Sequence, residues 1–257
     1  MMQAVILAGG RGTRISEESI LRPKPLIEIG DRPILWHIMK HYSYYGVNEF
    51  IICCGYKGEL IKEYFSNFGI YSSDITIDVS TKKIKFHKKK FENWKITLID
   101  TGMDTQTGGR LKKVEKYLKN NFCFTYGDGL SNVNIQKSID FHKKSKKLAT
   151  MTTVQPAGRF GAVKIKGNLI QKFLEKPLGD GGWINGGFFV LNKKVINYIK
   201  DDMTIWEQEP LIQLAKQKQL ASFKHSGFWH PMDTIRDKEY LENMWNKKNC
   251  PWKKWNV

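Results

Sequence analysis

Apolar residues along this chain gather into short runs separated by stretches with helical spacing. Runs at Ala4 to Leu7, Glu49 to Cys54, Ile96 to Ile99, Phe122 to Tyr126, Ala149 to Val154, Leu169 to Leu174 and Phe188 to Leu191 have the length and composition of strands. Between them, Ile34 to Tyr45 (entered through Pro33), Glu59 to Phe68, Arg110 to Leu118 and Ile135 to Lys143 carry helical patterns. This alternation predicts an α/β fold with a doubly wound, mainly parallel sheet covered by helices on both faces. Ile75 to Phe86 reads as an inserted β-hairpin, and Asp237 to Trp245 as a closing helix.

The polar motifs follow directly on the apolar runs: Gly9 after the first, Gly55, Thr101 and Asp128 after the next three, and Glu175 with Lys176 after Leu169 to Leu174. In open α/β sheets ligands sit outside the carboxyl ends of the strands, so the motifs should converge on one site. The most informative is Leu7 to Arg14, Leu-Ala-Gly-Gly-Arg-Gly-Thr-Arg, a loop whose backbone N–H groups can face an anion, with a triphosphate as the natural guest. It is not a Walker loop, because no Gly-Lys-Ser/Thr follows. Nor is it a dinucleotide fingerprint, which needs glycine or alanine where Ile15 stands.

Composition narrows the function classes further. The 257 residues are 41% hydrophobic and include 14 Phe, 10 Tyr and 8 Trp, enough for a core. No linker or repeat divides them, so a single domain is expected, with a core of about 1–225 and a C-terminal segment 226–257. Cys53, Cys54, Cys123 and Cys250 have neither disulfide nor zinc spacing. With no signal-like start and no apolar stretch of about 18 residues, a cytoplasmic protein without membrane insertion is expected. The net charge of +17 raises nucleic-acid binding as an alternative. Yet in the basic run Lys82 to Lys90, Ile84 and Phe86 alternate with charges as on a solvated hairpin, without interleaved stacking aromatics, and no nucleic-acid partner is expected.

The glycine loop, followed by Pro23-Lys24-Pro25, resembles the signature of the sugar-1-phosphate nucleotidyltransferases. The resemblance runs end to end and is nearest to the glucose-1-phosphate cytidylyltransferase branch. It is carried by Pro33 to Met39 (PILWHIM), Phe50 to Lys57 (FIICCGYK), Thr107 to Leu111 (TGGRL), Thr125 to Gly129 (TYGDG), Glu175 to Pro177 (EKP), Asn185 to Leu191 (NGGFFVL), Trp206 to Pro210 (WEQEP) and Pro231 to Thr234 (PMDT). Asp31, where glycine is usual, and the basic Lys82 to Lys90 depart from the pattern.

That resemblance implies a Rossmann-like nucleotidyltransferase sheet and transfer of CMP from CTP to glucose 1-phosphate, releasing pyrophosphate. The product, CDP-glucose, would serve CDP-deoxysugar and O-antigen synthesis. The phosphate nucleophile is already largely ionised near neutral pH, with a second pKa of about 6, so no general base is required. Positioning and charge neutralisation are what catalysis needs. Nucleotide binding then falls to Leu7, Ala8, Gly9, Gly10, Arg11, Gly12, Thr13 and Arg14, with Lys24, Gly127 and Asp128. Arg14 and Lys24 act on the departing pyrophosphate. Arg110 is expected to donate to the acceptor edge of cytosine, helped by Thr105 and backbone around Gly109. Asp128 and Asp233 share Mg2+, Asp233 coming from the C-terminal segment. Glu175 and Lys176, with Asn185 and Gly186, hold the sugar phosphate. The resemblance also implies a homo-oligomer, with a hexamer expected. Trp206-Glu-Gln-Glu-Pro receives no catalytic role, and His37, His41 and His142 read as structural.

The nearest rival reading is the same chemistry with UTP, dTTP or another sugar phosphate. A non-catalytic regulatory paralogue is another, but such a protein should have lost Arg14, Lys24, Asp128 or Asp233, and all four are present.

Overall fold

The computed structural model describes residues 2–87, 92–156, 158, 161–175 and 177–255. Its centre is a seven-stranded sheet. In chain order the strands are β1 (Gln3–Ala8), β2 (Glu49–Cys54), β3 (Lys95–Asp100), β4 (Asn121–Tyr126), β5 (Ala149–Val154), β6 (Ile184–Asn192) and β7 (Leu220–His225). They lie in the order β7-β5-β6-β4-β1-β2-β3. β1 runs parallel to both its neighbours, with Val5 opposite Ile51 and Phe124. Only β6 among these strands is antiparallel to its neighbours, β4 and β5. The doubly wound, mainly parallel α/β fold is thus the observed one.

β1 is apolar without alternation because both its faces are covered, as parallel strands require. Its side chains divide with period two. Ala4, Ile6 and Ala8 enter one core with Phe50, Ile52 and Ile38, while Val5 and Leu7 enter the other with Ile51, Phe124 and Trp206. Helices α1 (Ile34–Tyr44), α2 (Gly58–Ser66), α4 (Ile135–Ser145) and α6 (Ile235–Asn246) supply the first core; α3 (Thr107–Lys113) and α5 (Glu209–Lys216) supply the second. The C-terminal segment joins the first core through Leu241, Trp252 and Trp255. There His37 is held neutral: its Nε2 donates to the Ile29 carbonyl, its Nδ1 accepts from Trp252, and burial pushes its pKa down to about 4.

Two strand assignments change. Leu169–Leu174 is not in the main sheet but pairs antiparallel with Ala162–Lys166 as a separate hairpin. Gln171 and Lys172 interrupt its apolar residues, all six positions are exposed, and the nearest partner lies just upstream. The edge is taken instead by β7, Leu-Ala-Ser-Phe-Lys-His, whose polar content hides it from an apolar scan. β6 also begins earlier than expected, so Asn185-Gly186-Gly187 lie inside a strand. The inserted hairpin is present as Ile75–Asp78 and Lys83–Phe86, with Lys83 to Phe86 all exposed; Lys88 to Lys90 lie outside the described residues. All four cysteines are free thiols. Among the described residues no helix is long and apolar enough to cross a membrane.

Candidate active site

A cavity of about 500 Å³ opens at the carboxyl ends of β1 and β4. Leu7, Ala8, Gly9, Gly10, Gly12, Thr13, Arg14, Lys24, Thr105, Arg110, Gly127, Asp128 and Asp233 line it. Sequence-predicted residues more than 200 positions apart thereby meet, as when Lys24 bonds Asp233 across 209 positions. Arg11 stands apart from the lining: it is exposed, with Nη2 2.8 Å from Asp104 Oδ1.

Lys24 is delivered by an extended Pro23 into a short 3-10 turn, Lys24–Leu26, and is buried. Its Nζ donates to Asp128 Oδ2 at 2.7 Å and to Asp233 Oδ1 at 2.8 Å. Burial works to lower its pKa, but the two carboxylates outweigh it and hold the ammonium above its ordinary value. Arg14 Nη1 donates to the remaining Asp233 oxygen at 2.8 Å.

The two aspartates are stitched together through backbone. Asp128 leads into a short strand, Gly129–Ser131, that pairs with Trp229–Pro231, and its carbonyl accepts the Met232 N–H at 2.8 Å. Asp233 is not the cap of the following helix. Thr234 and Asp237 form that capping box, which leaves the Asp233 carboxylate to face Lys24 and Arg14. Hard carboxylate oxygens that converge on one cation suit a divalent ion that takes its other ligands from phosphate and water. Among the described residues no group of three or more His, Cys, Asp or Glu is placed to hold a metal ion.

Arg110 is buried rather than solvent-facing. Nη1 donates to Thr101 Oγ1 and the Gly102 carbonyl, each at 2.7 Å, and to the Cys54 carbonyl at 3.2 Å. Nη2 donates to the Gly9 and Met103 carbonyls at 3.0 and 3.1 Å. Arg110 lines the cavity while its guanidinium also holds these backbone carbonyls. It braces the loops after β1, β2 and β3, and any base contact comes in addition. A Cβ on Gly109 would stand 2.4 Å from the Asp202 carbonyl oxygen, so Gly109 lets the helix approach that turn closely, and it is not among the residues that line the cavity. Thr105 does line the cavity, its hydroxyl accepting from Lys113.

A smaller cavity of about 70 Å³ adjoins the first, lined by Asn185, Gly186, Tyr126 and Asp128 among others. Asp128, Tyr126, Trp229 and Pro231 line both. Glu175 is not among the lining residues; it ends the separate hairpin rather than a sheet strand, and Lys176 lies outside the described residues. Sequence reasoning missed Tyr126, Thr107 and Trp229. Tyr126 and Thr107 sit inside motifs already singled out, next to the residues chosen from them; Trp229 lies just before Pro-Met-Asp-Thr.

A glycine loop, a buried ammonium and paired carboxylates at the carboxyl ends of a parallel sheet define a nucleotide-binding transferase. The nucleotidyl transferase family model matches residues 3–237, and the chain belongs to that family. Members of the family generally act with a divalent metal ion on a nucleoside triphosphate and a sugar phosphate. The chain is similar to the glucose-1-phosphate cytidylyltransferases of Salmonella typhimurium and Salmonella typhi, each 56% identical over 256 residues, which is 99% of this chain and 100% of each relative. Among solved structures, the inositol-1-phosphate CTP transferase of T. maritima shares the fold, with a TM-score of 0.66, 16% identity and 96% of both chains covered.

Proposed function

We propose that the protein transfers CMP from CTP to glucose 1-phosphate, yielding CDP-glucose and pyrophosphate for CDP-deoxysugar and O-antigen synthesis. The observation that carries this reading is the pair of joined cavities with Asp128 lining both. The larger, with its glycine loop, suits the nucleotide, and the smaller suits the sugar. Their junction is where a sugar phosphate oxygen would meet the α-phosphorus.

Backbone N–H groups of Gly9 to Arg14 hold the triphosphate, and Thr13 adds a hydroxyl. Arg14 and Lys24 neutralise charge as pyrophosphate leaves. Asp128 and Asp233 would hold Mg2+, which when bound supplies charge neutralisation across the phosphates. The residues that fix the base are Thr105 and Arg110, which line the larger cavity, and those that fix the sugar are Asn185 and Gly186, joined by Glu175 and Lys176. Residues 1–257 act as one catalytic domain, cytoplasmic and homo-oligomeric, with a hexamer to be sought by light scattering.

The test is pyrophosphate release by the purified protein with Mg2+ and glucose 1-phosphate, offered CTP, UTP, dTTP, ATP and GTP separately. Turnover with CTP well above the others is expected. Preference for UTP or dTTP would replace the base assignment, and silence with every nucleotide would favour a non-catalytic role.

A further inference from the structure

The motif Trp206-Glu-Gln-Glu-Pro enters neither half of the proposed reaction, yet it lies against both. Trp206 is fully buried, its ring 5.9 Å from Phe124 and 6.0 Å from Phe189, and it fixes the backbone at that point. The next residue, Glu207, is half-buried and divides its carboxylate between two arms. Oε2 accepts from Thr107 Oγ1 at 2.6 Å, and that hydroxyl in turn accepts the Trp206 N–H at 2.9 Å. Oε1 accepts from the Tyr126 hydroxyl. Thr107 lines the nucleotide cavity; Tyr126 lines both cavities.

The chain of hydrogen bonds has a direction. Asn185 Oδ1 accepts the Gly187 N–H at 2.8 Å, which turns Asn185 Nδ2 toward the Tyr126 oxygen, 3.4 Å away. Tyr126 can accept there because its own proton goes to Glu207. Burial and the Glu207 carboxylate push the phenol pKa far up, so it stays a donor. Among the described residues the Asn185 amide nitrogen has no other acceptor than Tyr126, which leaves it one hydrogen for a ligand in the smaller cavity that Asn185 lines.

We propose that Glu207 is a positioning residue that couples the two subsites, setting Thr107 on the nucleotide side and, through Tyr126, the amide of Asn185 on the sugar side. This rests on the reading of the smaller cavity as the sugar-phosphate subsite. Neither arm reacts; both hold groups whose orientation decides how well each substrate is seated.

Steady-state kinetics with CTP and glucose 1-phosphate, together with thermal melting, test it on wild-type protein and the variants Glu207→Ala, Glu207→Gln, Tyr126→Phe, Thr107→Val and Glu207→Ala/Tyr126→Phe. Glu207→Ala should raise the KM for glucose 1-phosphate about tenfold and that for CTP by about threefold or more, since buried hydroxyls lose their acceptor. Glu207→Gln, which keeps one acceptor oxygen in place of two, should recover one of the two KM values to within about threefold and leave the other raised. In the Tyr126→Phe background, Glu207→Ala should add under about twofold to the sugar KM, because the path through the hydroxyl is already gone. Unmoved KM values in a Glu207→Ala protein of wild-type melting temperature would overturn the coupling, as would an undiminished effect in the Tyr126→Phe background. Should Glu207→Ala fail to fold, the single arms decide. Tyr126→Phe must act mainly on the sugar KM and Thr107→Val mainly on the CTP KM, and indifference of both KM values to both changes overturns the idea. Wild-type protein inactive on glucose 1-phosphate defeats the proposed reaction and this inference together; active wild type with an indifferent Glu207→Ala defeats the inference alone.

Discussion

Lys24 Nζ lies 2.7 Å from Asp128 Oδ2, although the two residues are 104 positions apart. The same ammonium reaches Asp233, so one cationic side chain occupies the space between the carboxylates assigned to the metal. Lys24 thereby orders the two carboxylates, and in the proposed reaction it also neutralises phosphate. Replacing it by methionine should lower kcat/KM about 10² to 10³-fold, as for other donors aimed at developing charge. Lys24→Arg should restore little, because a planar fork does not replace a compact point charge. Single-turnover pyrophosphate release measures both, and near-normal rates for Lys24→Met would remove Lys24 from the chemistry.

Arg14 contrasts with Lys24 in being 71% exposed while paired to Asp233. An exposed ion pair contributes little to stability. Arg14→Ala should therefore melt within about 2 °C of wild type yet lose about 10²-fold in kcat/KM. A large drop in melting temperature with intact catalysis would show that the pair is structural.

Gly109 and Arg110 are neighbours with separable duties. A methyl group on Gly109 meets the Asp202 carbonyl, so Gly109→Ala should destabilise by about 1 to 3 kcal/mol with little change in the KM for CTP. Arg110→Met strips donors from the Gly9, Gly102 and Met103 carbonyls and should cost both stability and nucleotide affinity. Urea unfolding paired with CTP titration separates them. Equal effects of both variants on CTP binding would return Gly109 to the base site.

His37 makes stability depend on pH. Burial lowers its pKa in the folded chain to about 4 from the ordinary value of 6.5. Between those values the unfolded chain binds a proton that the folded one refuses, so stability falls as pH drops from 6.5 toward 4 and is fully present above 6.5. The loss from this residue is on the order of 3 kcal/mol. His41, also lowered to about 4 by burial, adds to the slope. Urea midpoints at several pH values should decline through this window, and His37→Gln should flatten the decline; an unchanged slope in that variant would exclude His37 as its source.

What could be read in advance follows from how local each signal is. β1 and its loop announce themselves because a strand buried on both faces needs an unbroken apolar run and the glycines follow at once. The metal role proposed for Asp233 was reachable only through resemblance, although Thr234-Ile235-Arg236-Asp237 carries the Thr-x-x-Asp spacing of the capping box that leaves its carboxylate free. β7 was hidden because an edge strand tolerates Ser222 and Lys224 where an interior strand would not. The bracing role of Arg110 was not legible because its acceptors are backbone carbonyls on several loops, which no side-chain pattern records. Glu207 escaped for the same reason: its partners Thr107 and Tyr126 are brought to it only by the fold.

The stitch between Asp128 and Met232 bears on the order in which the protein matures during synthesis. The glycine loop, Lys24 and Asp128 all belong to the first half of the chain, and the sheet strands that hold them can pair early. Asp233 arrives only after β7 has been made, when its short strand Trp229–Pro231 docks against Gly129–Ser131. A nascent chain that stops before that strand would have the glycine loop but only one of the two carboxylates proposed to hold the metal, so the site would be complete only once Trp229–Pro231 has docked.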